Sequence, residues 1–113
     1  MQIRLSRVIL FTANMDKMVA FYRDVLGFKL TTNEKGWKEF DAGNCAIALH
    51  GGAARPGARP PKLAFDVKDV AATREILIAR GAKMGKVSSK DGLDLCNGKD
   101  PDGNPFGLSN RGQ

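Results

Sequence analysis

Residues 8–30, VILFTANMDKMVAFYRDVLGFKL, contain the succession of structural elements that decides the fold. The apolar run RVILFT at 7–12 predicts a strand that is covered on both faces. Asn14 is a candidate N-cap, and apolar residues recur at helical spacing over 15–26 until Gly27 ends the helix. The stretch therefore predicts a buried strand followed directly by an amphipathic helix.

Three more strands are predicted before the pattern breaks. Gly36 and Gly43-Asn44 favour the turns between them, and the strands are FKLTTN at 28–33, WKEFDA at 37–42 and CAIALH at 45–50. The next segment, GGAARPGARPP at 51–61, is rich in Gly, Pro and Ala and is predicted to be a linker. The first part of the chain thus forms a βαβββ unit.

The same order of elements begins again after the linker. Phe65 stands 16 residues before Gly81, as Phe11 stands 16 residues before Gly27. The DPDG sequence at 100–103 suits a type I turn that leads into a last strand. The predicted elements are strands at 62–67, 82–87, 92–97 and 105–108, and a helix at 70–81 with Asp69 as its N-cap. An internal repeat of this kind predicts an α+β fold, in which 1–50 and 62–113 are two βαβββ modules of a single domain.

Composition and charge exclude several classes of function. The chain has 113 residues and a net charge of +6, but its Lys and Arg are dispersed, and one Trp and one Tyr offer little base stacking, so we expect no nucleic-acid partner. No apolar run approaches the roughly 18 residues of a membrane span, and no cleavage-site pattern follows the N-terminal apolar run. Cys45 and Cys96 form no disulfide framework. We interpret the protein as cytoplasmic, without a membrane partner.

The quoted stretch, with its FYRDVLGF helix end, and the sequence DPDGNPFGL at 100–108 resemble the vicinal oxygen chelate superfamily, which includes glyoxalase I, extradiol dioxygenases and bleomycin-resistance proteins. The resemblance covers essentially the whole chain. It implies an open, cupped barrel of mixed β-sheet with the helices outside, and a homodimer is expected. It leaves open whether the modules pair within one chain or exchange across the linker.

Metal-dependent members of that superfamily place His, Glu or Gln ligands on the first and last strands of each module. Carried over onto this sequence, those positions are Arg7, Ala48, Lys62 and Gly107. Ala and Gly have no donor atom, Arg stays protonated, and Lys would have to lose a proton beside a cation. We therefore expect neither a metal site nor a cofactor, and we expect Gly107 to leave space where a metal carboxylate would project.

Strand alternation places a second set of residues on the concave faces. Small and cationic side chains among them favour a small anionic or planar guest, which Trp37 could stack against. The candidate ligand-binding residues are Arg7, Phe11, Trp37, Ala48, His50, Lys62, Asp66 and Gly107. The catalytic residues are unknown; His50, the single histidine, is the only candidate proton carrier.

Each of these residues also has a structural interpretation. Arg7 could pair with Asp66 or extend to the solvent, and Lys62, just after two prolines, could simply reach water. Trp37 could belong to the core or to a dimer interface, and His50 could be a solvated strand end. Spacing alone does not decide between these roles.

The favoured function is metal-independent binding of a small anionic or aromatic organic molecule, with catalysis left uncertain. One alternative is a metal-dependent lyase, isomerase or dioxygenase of the same superfamily. The other is a drug-sequestering resistance protein, although cationic bleomycin itself suits a chain of charge +6 poorly.

The first prediction concerns metal. Protein purified without chelators should contain no stoichiometric Ni²⁺, Zn²⁺, Mn²⁺ or Fe²⁺, and adding these ions should not shift its thermal melt, because the four carried-over positions provide no ligand. Elemental analysis and melting curves check this. Stoichiometric metal, with a melting temperature that rises with occupancy, would contradict the carry-over and favour the metal-dependent alternative.

Overall fold

In the first module, Met1–Arg55, the first strand of the chain pairs with the last. The computed structural model describes residues 1–113. Strands β1 and β4 run parallel, and β3 and β2 continue the sheet antiparallel in the order β1-β4-β3-β2. The four strands are β1 (Arg7–Thr12), β2 (Lys29–Glu34), β3 (Trp37–Asp41) and β4 (Ala46–Gly51). This mixed sheet and its helix form the βαβββ unit that the sequence predicts.

The helix of the first module differs from its prediction in its second half. Helix α1 spans only Met15–Ala20, and the chain then widens into a π-helical turn at Phe21–Val25. The turn buries two consecutive aromatic side chains, Phe21 and Tyr22, which an α-helix would point about 100° apart. Asn14 stands at the N-cap position, but its side chain makes no cap hydrogen bond.

The second module, Pro56–Gln113, has the same topology as the first. Its sheet order is β5-β8-β7-β6, again with a parallel pair between first and last strands. Its elements are β5 (Leu63–Asp66), α2 (Val70–Ala79), β6 (Ser88–Lys90), β7 (Leu93–Lys99) and β8 (Pro105–Ser109). The Asp69 side chain caps α2 by accepting a hydrogen bond from the backbone N–H of Ala72 at 2.9 Å, as predicted. The α+β class and the internal repeat are therefore confirmed.

The strand predicted at 82–87 is wrong. This segment makes one isolated bridge, Met84 to Gly98, and the strand lies further on, in β6. The carbonyl oxygen of Gly85 instead accepts hydrogen bonds from Arg74 Nε at 2.7 Å and from Cys96 Sγ at 3.4 Å. Because α2 and the Cys96 thiol use that backbone group, the segment anchors the helix to β7 and forms no ladder of its own.

The DPDG turn is held by a buried carboxylate. The backbone N–H of Gly103 donates to the carbonyl of Asp100 at 2.9 Å, as in a type I turn. Asp100 Oδ1 accepts from the backbone N–H groups of Asp102 and Asn104 at 3.0 and 2.9 Å, and Oδ2 accepts from Asn104 Nδ2 at 2.8 Å. Since Asp100 is only 5% exposed, these bonds replace the water that its carboxylate has lost.

Each sheet buries one face against its own helix. The ring centroids of Tyr22 and Phe40 lie 6.0 Å apart, so the face of the first sheet that carries Phe40 is the helix-facing one. In the second module, Phe106 and Leu108 lie on the helix-facing side of β8, and Gly107 between them lies on the opposite face. The other face of each sheet is called its open face below. Neither helix is long or apolar enough to span a membrane.

The second prediction concerns the buried carboxylate of the DPDG turn. Asp100→Ala should lower the free energy of unfolding by about 2 kcal/mol, because it leaves the partly buried backbone N–H groups of Asp102 and Asn104 without their charged acceptor. Asp41→Ala is the matched control, since the Asp41 carboxylate is exposed and accepts one backbone bond, from Gly43 at 2.9 Å. Its expected loss is below about 1 kcal/mol. Urea unfolding measures both, and equal losses would contradict the role assigned to the buried carboxylate.

Candidate functional site on the open faces of the two sheets

A row of three aromatic side chains crosses one end of the first module's open face. The strand register places Phe11 beside His50 and His50 beside Trp37. The Phe11 and His50 ring centroids lie 5.1 Å apart, and those of His50 and Trp37 lie 5.9 Å apart, edge to face. We call Phe11, His50 and Trp37 the aromatic row. The sequence predicted all three as ligand-binding residues, and the structure brings them together.

The aromatic row is accessible. Phe11 is 52% exposed, although large apolar side chains usually lose most of their exposed surface on folding. His50 is exposed, Trp37 is half-buried, and His50 Nδ1 lies 2.8 Å from the carbonyl oxygen of Gly51. The row therefore offers an apolar ring surface beside a ring nitrogen.

A carboxylate that the sequence analysis missed lies beside the row. Glu39 Oε1 accepts from Arg7 Nε at 2.9 Å, and Glu39 Oε2 accepts from Trp37 Nε1 at 3.2 Å. The hydrogen bond from Arg7, and next that from Trp37, hold the pKa of Glu39 below its usual range. Glu39 is two residues from Trp37 on the same strand, so placing Trp37 on the open face already predicts Glu39 there. In the structure, the partner of Arg7 is therefore Glu39 and not Asp66, which the sequence had suggested.

Ala48 lies on the open face but cannot itself offer surface to a ligand. In the strand register it stands between Ile9 and Glu39, and it is fully buried. Since none of its surface is exposed, Ala48 offers a ligand neither contact nor open space.

On the second module's open face, Lys62 and Asn97 lie over Gly107. Lys62 Nζ donates a hydrogen bond to Asn97 Oδ1 at 3.1 Å. A Cβ atom added to Gly107 would stand 3.0 Å from Asn97 Oδ1 and 3.7 Å from Lys62 Cδ. The space beside Gly107 is thus taken by these two side chains, which corrects the expectation that it would be open. Because the amide oxygen accepts from Lys62, the Asn97 NH₂ group is left pointing away from the ammonium as a further donor.

The remaining predicted residue, Asp66, lies at the end of β5. It pairs in register with Ser109, and its carboxylate packs against Gly112 so closely that any side chain at that position would collide with it. Asp66 is exposed. The structure therefore places Asp66 beside the C-terminal turn of its own module.

The four positions implied by the resemblance do not fit a metal ion. Two of them, Ala48 and Gly107, carry no donor atom, and Arg7 and Lys62 are cations that already donate hydrogen bonds. No three His, Cys, Asp or Glu side chains gather anywhere in the chain in a way that could hold a metal. Both oxygens of the Glu39 carboxylate already accept hydrogen bonds.

The family model of the glyoxalase/bleomycin resistance protein/dioxygenase superfamily matches residues 4–108. The chain belongs to this superfamily. This agrees with the resemblance read from the FYRDVLGF and DPDGNPFGL motifs and with the repeated βαβββ topology. No curated protein matches the chain by sequence.

Solved structures of other proteins share the fold of this chain. The protein SMU.1112c is 27% identical, with a TM-score of 0.81, and the match covers 96% of this chain and 99% of that one. TnmS3, an antibiotic binding protein from Streptomyces sp. CB03234, is 22% identical with a TM-score of 0.74, over 95% and 94% of the two chains. A lactoylglutathione lyase from Agrobacterium tumefaciens is 18% identical with a TM-score of 0.77, over 96% and 93%.

The third prediction concerns Glu39 and acid. Its pKa is lowered in the folded protein, so its stabilising effect should be present above the unfolded value of about 4.3 and be lost as pH falls through the folded value. Glu39→Gln should therefore lower the melting temperature near neutral pH, and the gap to the parent protein should narrow in acid. Melting curves of both proteins at several pH values measure this gap. A gap that does not change with pH would contradict the charge interaction.

Proposed function

We propose that this superfamily member binds a small planar organic molecule, aromatic or anionic, without a metal, and that the aromatic row of the first module holds it. The observation that carries the proposal is the exposure of Phe11 beside two other rings. Covering the exposed half of this side chain with a ligand is favourable by about 0.8–1.5 kcal/mol, half of the value for a fully exposed one. Trp37 and His50 add preferred ring-to-ring geometries.

Glu39 supports this assignment by fixing the row and by balancing charge. Its hydrogen bond from Trp37 Nε1 restrains the indole, so less rotamer freedom would be lost when a ligand stacks on it. Its ion pair with Arg7 balances the charge of that guanidinium. The first module therefore favours a ligand with a flat, apolar body over one recognised by charge.

We assign the binding of an anionic ligand to the second module by itself. Lys62 is exposed, and the one hydrogen bond that its ammonium donates goes to a neutral amide, so its charge is not balanced by that partner. An ammonium has three N–H donors, which leaves two for an anion, and the Asn97 NH₂ group can add another. These two side chains support the anionic part of the proposal independently of the aromatic row.

The family resemblance supports binding without deciding whether a reaction follows. Among the structures that share this fold, one is described as an antibiotic binding protein and another as a lactoylglutathione lyase. The fold thus serves both capture and catalysis, and at these identities it says nothing about the ligand. The poor fit of the four carried-over positions to a metal favours metal-independent binding here.

The fourth prediction tests the aromatic row by calorimetric titration with benzyl alcohol, benzoate and acetate. We expect binding of both aromatic compounds, and a loss of about fourfold to tenfold in Phe11→Ala, because the exposed half of the ring supplies much of the buried apolar area. Leu95→Ala is the matched control, since Leu95 is an exposed apolar residue on the open face of the other sheet.

The acetate titration tests the second module by itself. Lys62→Met should weaken acetate and leave benzyl alcohol unchanged, because only the carboxylate can use the ammonium. Equal binding of benzyl alcohol to the parent protein and to Phe11→Ala would overturn the aromatic row as the site. Equal acetate affinity in the parent protein and in Lys62→Met would contradict the anion site and leave the aromatic row.

A further inference from the structure

The histidine of the aromatic row is held in one tautomer by the backbone. His50 Nδ1 lies 2.8 Å from the carbonyl oxygen of Gly51, within hydrogen-bond distance. A carbonyl oxygen can only accept, so Nδ1 must carry the proton. In the neutral imidazole the proton on Nδ1 leaves Nε2 with its lone pair, as an acceptor.

The ring that carries this acceptor is also held in place. Phe11 contacts it at an interplanar angle of 50° and Trp37 meets it edge to face at 85°. His50 is nevertheless exposed, and Nε2 has no hydrogen-bond partner within the protein. The structure therefore presents a hydrogen-bond acceptor in a fixed position at the edge of an accessible aromatic surface.

We propose that His50 Nε2 accepts a hydrogen bond from a hydroxyl group of the ligand, so that the aromatic row binds a phenol or a planar enol. This inference rests on the proposed function and specifies its ligand class. The flat body of such a ligand packs on Phe11 and Trp37 while its O–H donates to His50. A methyl ether of the same shape has no donor, and a carboxylate offers only acceptors to an acceptor nitrogen.

The charges around the aromatic row favour a ligand that donates a hydrogen bond from a neutral group. Glu39 lies on the same open face and its negative charge is already paired with Arg7, so the row has no unbalanced cation to attract an anion. The neighbouring strand β2 contributes another carboxylate, Glu34, opposite Trp37. A hydroxyl donor suits this environment better than an anionic group does.

The tautomer can be measured directly because His50 is the only histidine of the chain. Nitrogen-15 NMR of the imidazole at about pH 8, where a histidine is ordinarily neutral, distinguishes a protonated Nδ1 from a protonated Nε2. We expect the Nδ1–H form. Adding phenol should shift the Nε2 resonance and the indole resonance of Trp37, the only tryptophan, and anisole should shift the indole but leave Nε2 nearly unchanged.

Two variants of His50 provide the matched test. Asn at this position can reach the Gly51 carbonyl with its amide nitrogen but has no acceptor at the place of Nε2, whereas the longer Gln can present its amide oxygen there. The parent protein should bind phenol about threefold to tenfold more tightly than anisole, the contribution expected of one hydrogen bond. His50→Gln should retain part of this preference, and His50→Asn should lose it while keeping its affinity for anisole.

The possible failures are distinguishable. Equal affinity of the parent protein for phenol and anisole, or a protonated Nε2 in the free protein, would overturn the hydroxyl assignment while the aromatic row remained a site. A preference for phenol that persists in His50→Asn would overturn it as well. If neither compound binds and the indole resonance does not move, the proposed function fails together with this inference.

Discussion

The parallel pairing of the first strand with the last strand of each module is the constraint on which the rest of the structure depends. It joins residues about forty positions apart and leaves the intervening strands to continue the sheet from the last strand outward. Through this pairing Phe11 lies beside His50, and through the next pairing His50 lies beside Trp37. A one-residue shift of β1 against β4 would turn Phe11 toward the helix and bring Leu10 to the open face.

The two modules use this shared architecture for different chemistry. On the first open face a carboxylate, Glu39, lies between a cation and an indole, so charge is balanced and an aromatic surface is restrained. On the second, Lys62 and Asn97 lie over a glycine, and the cation has only a neutral partner. A repeated fold therefore carries a restrained aromatic surface on one face and an exposed cation on the other.

Several parts of the fold were predictable because they depend on local sequence signals. Strand alternation, the Gly27 and Gly81 helix ends, the Asp69 cap and the DPDG turn each follow from the preferences of a few neighbouring residues. The segment at 82–87 was not predictable in this way, because its backbone is taken up by Arg74 and Cys96 from other elements. The π-helical turn at Phe21–Val25 was also missed, since it accompanies the burial of two adjacent rings.

The sequence by itself determined the repeated βαβββ order, the superfamily, and which side chains share an open face, because periodicity and turn chemistry are local. It also determined that the four carried-over positions offer no set of metal ligands. Only the tertiary structure decided that Arg7 pairs with Glu39 and that Lys62 covers Gly107. Those contacts depend on strand register and side-chain direction, which are settled only when the strands pair.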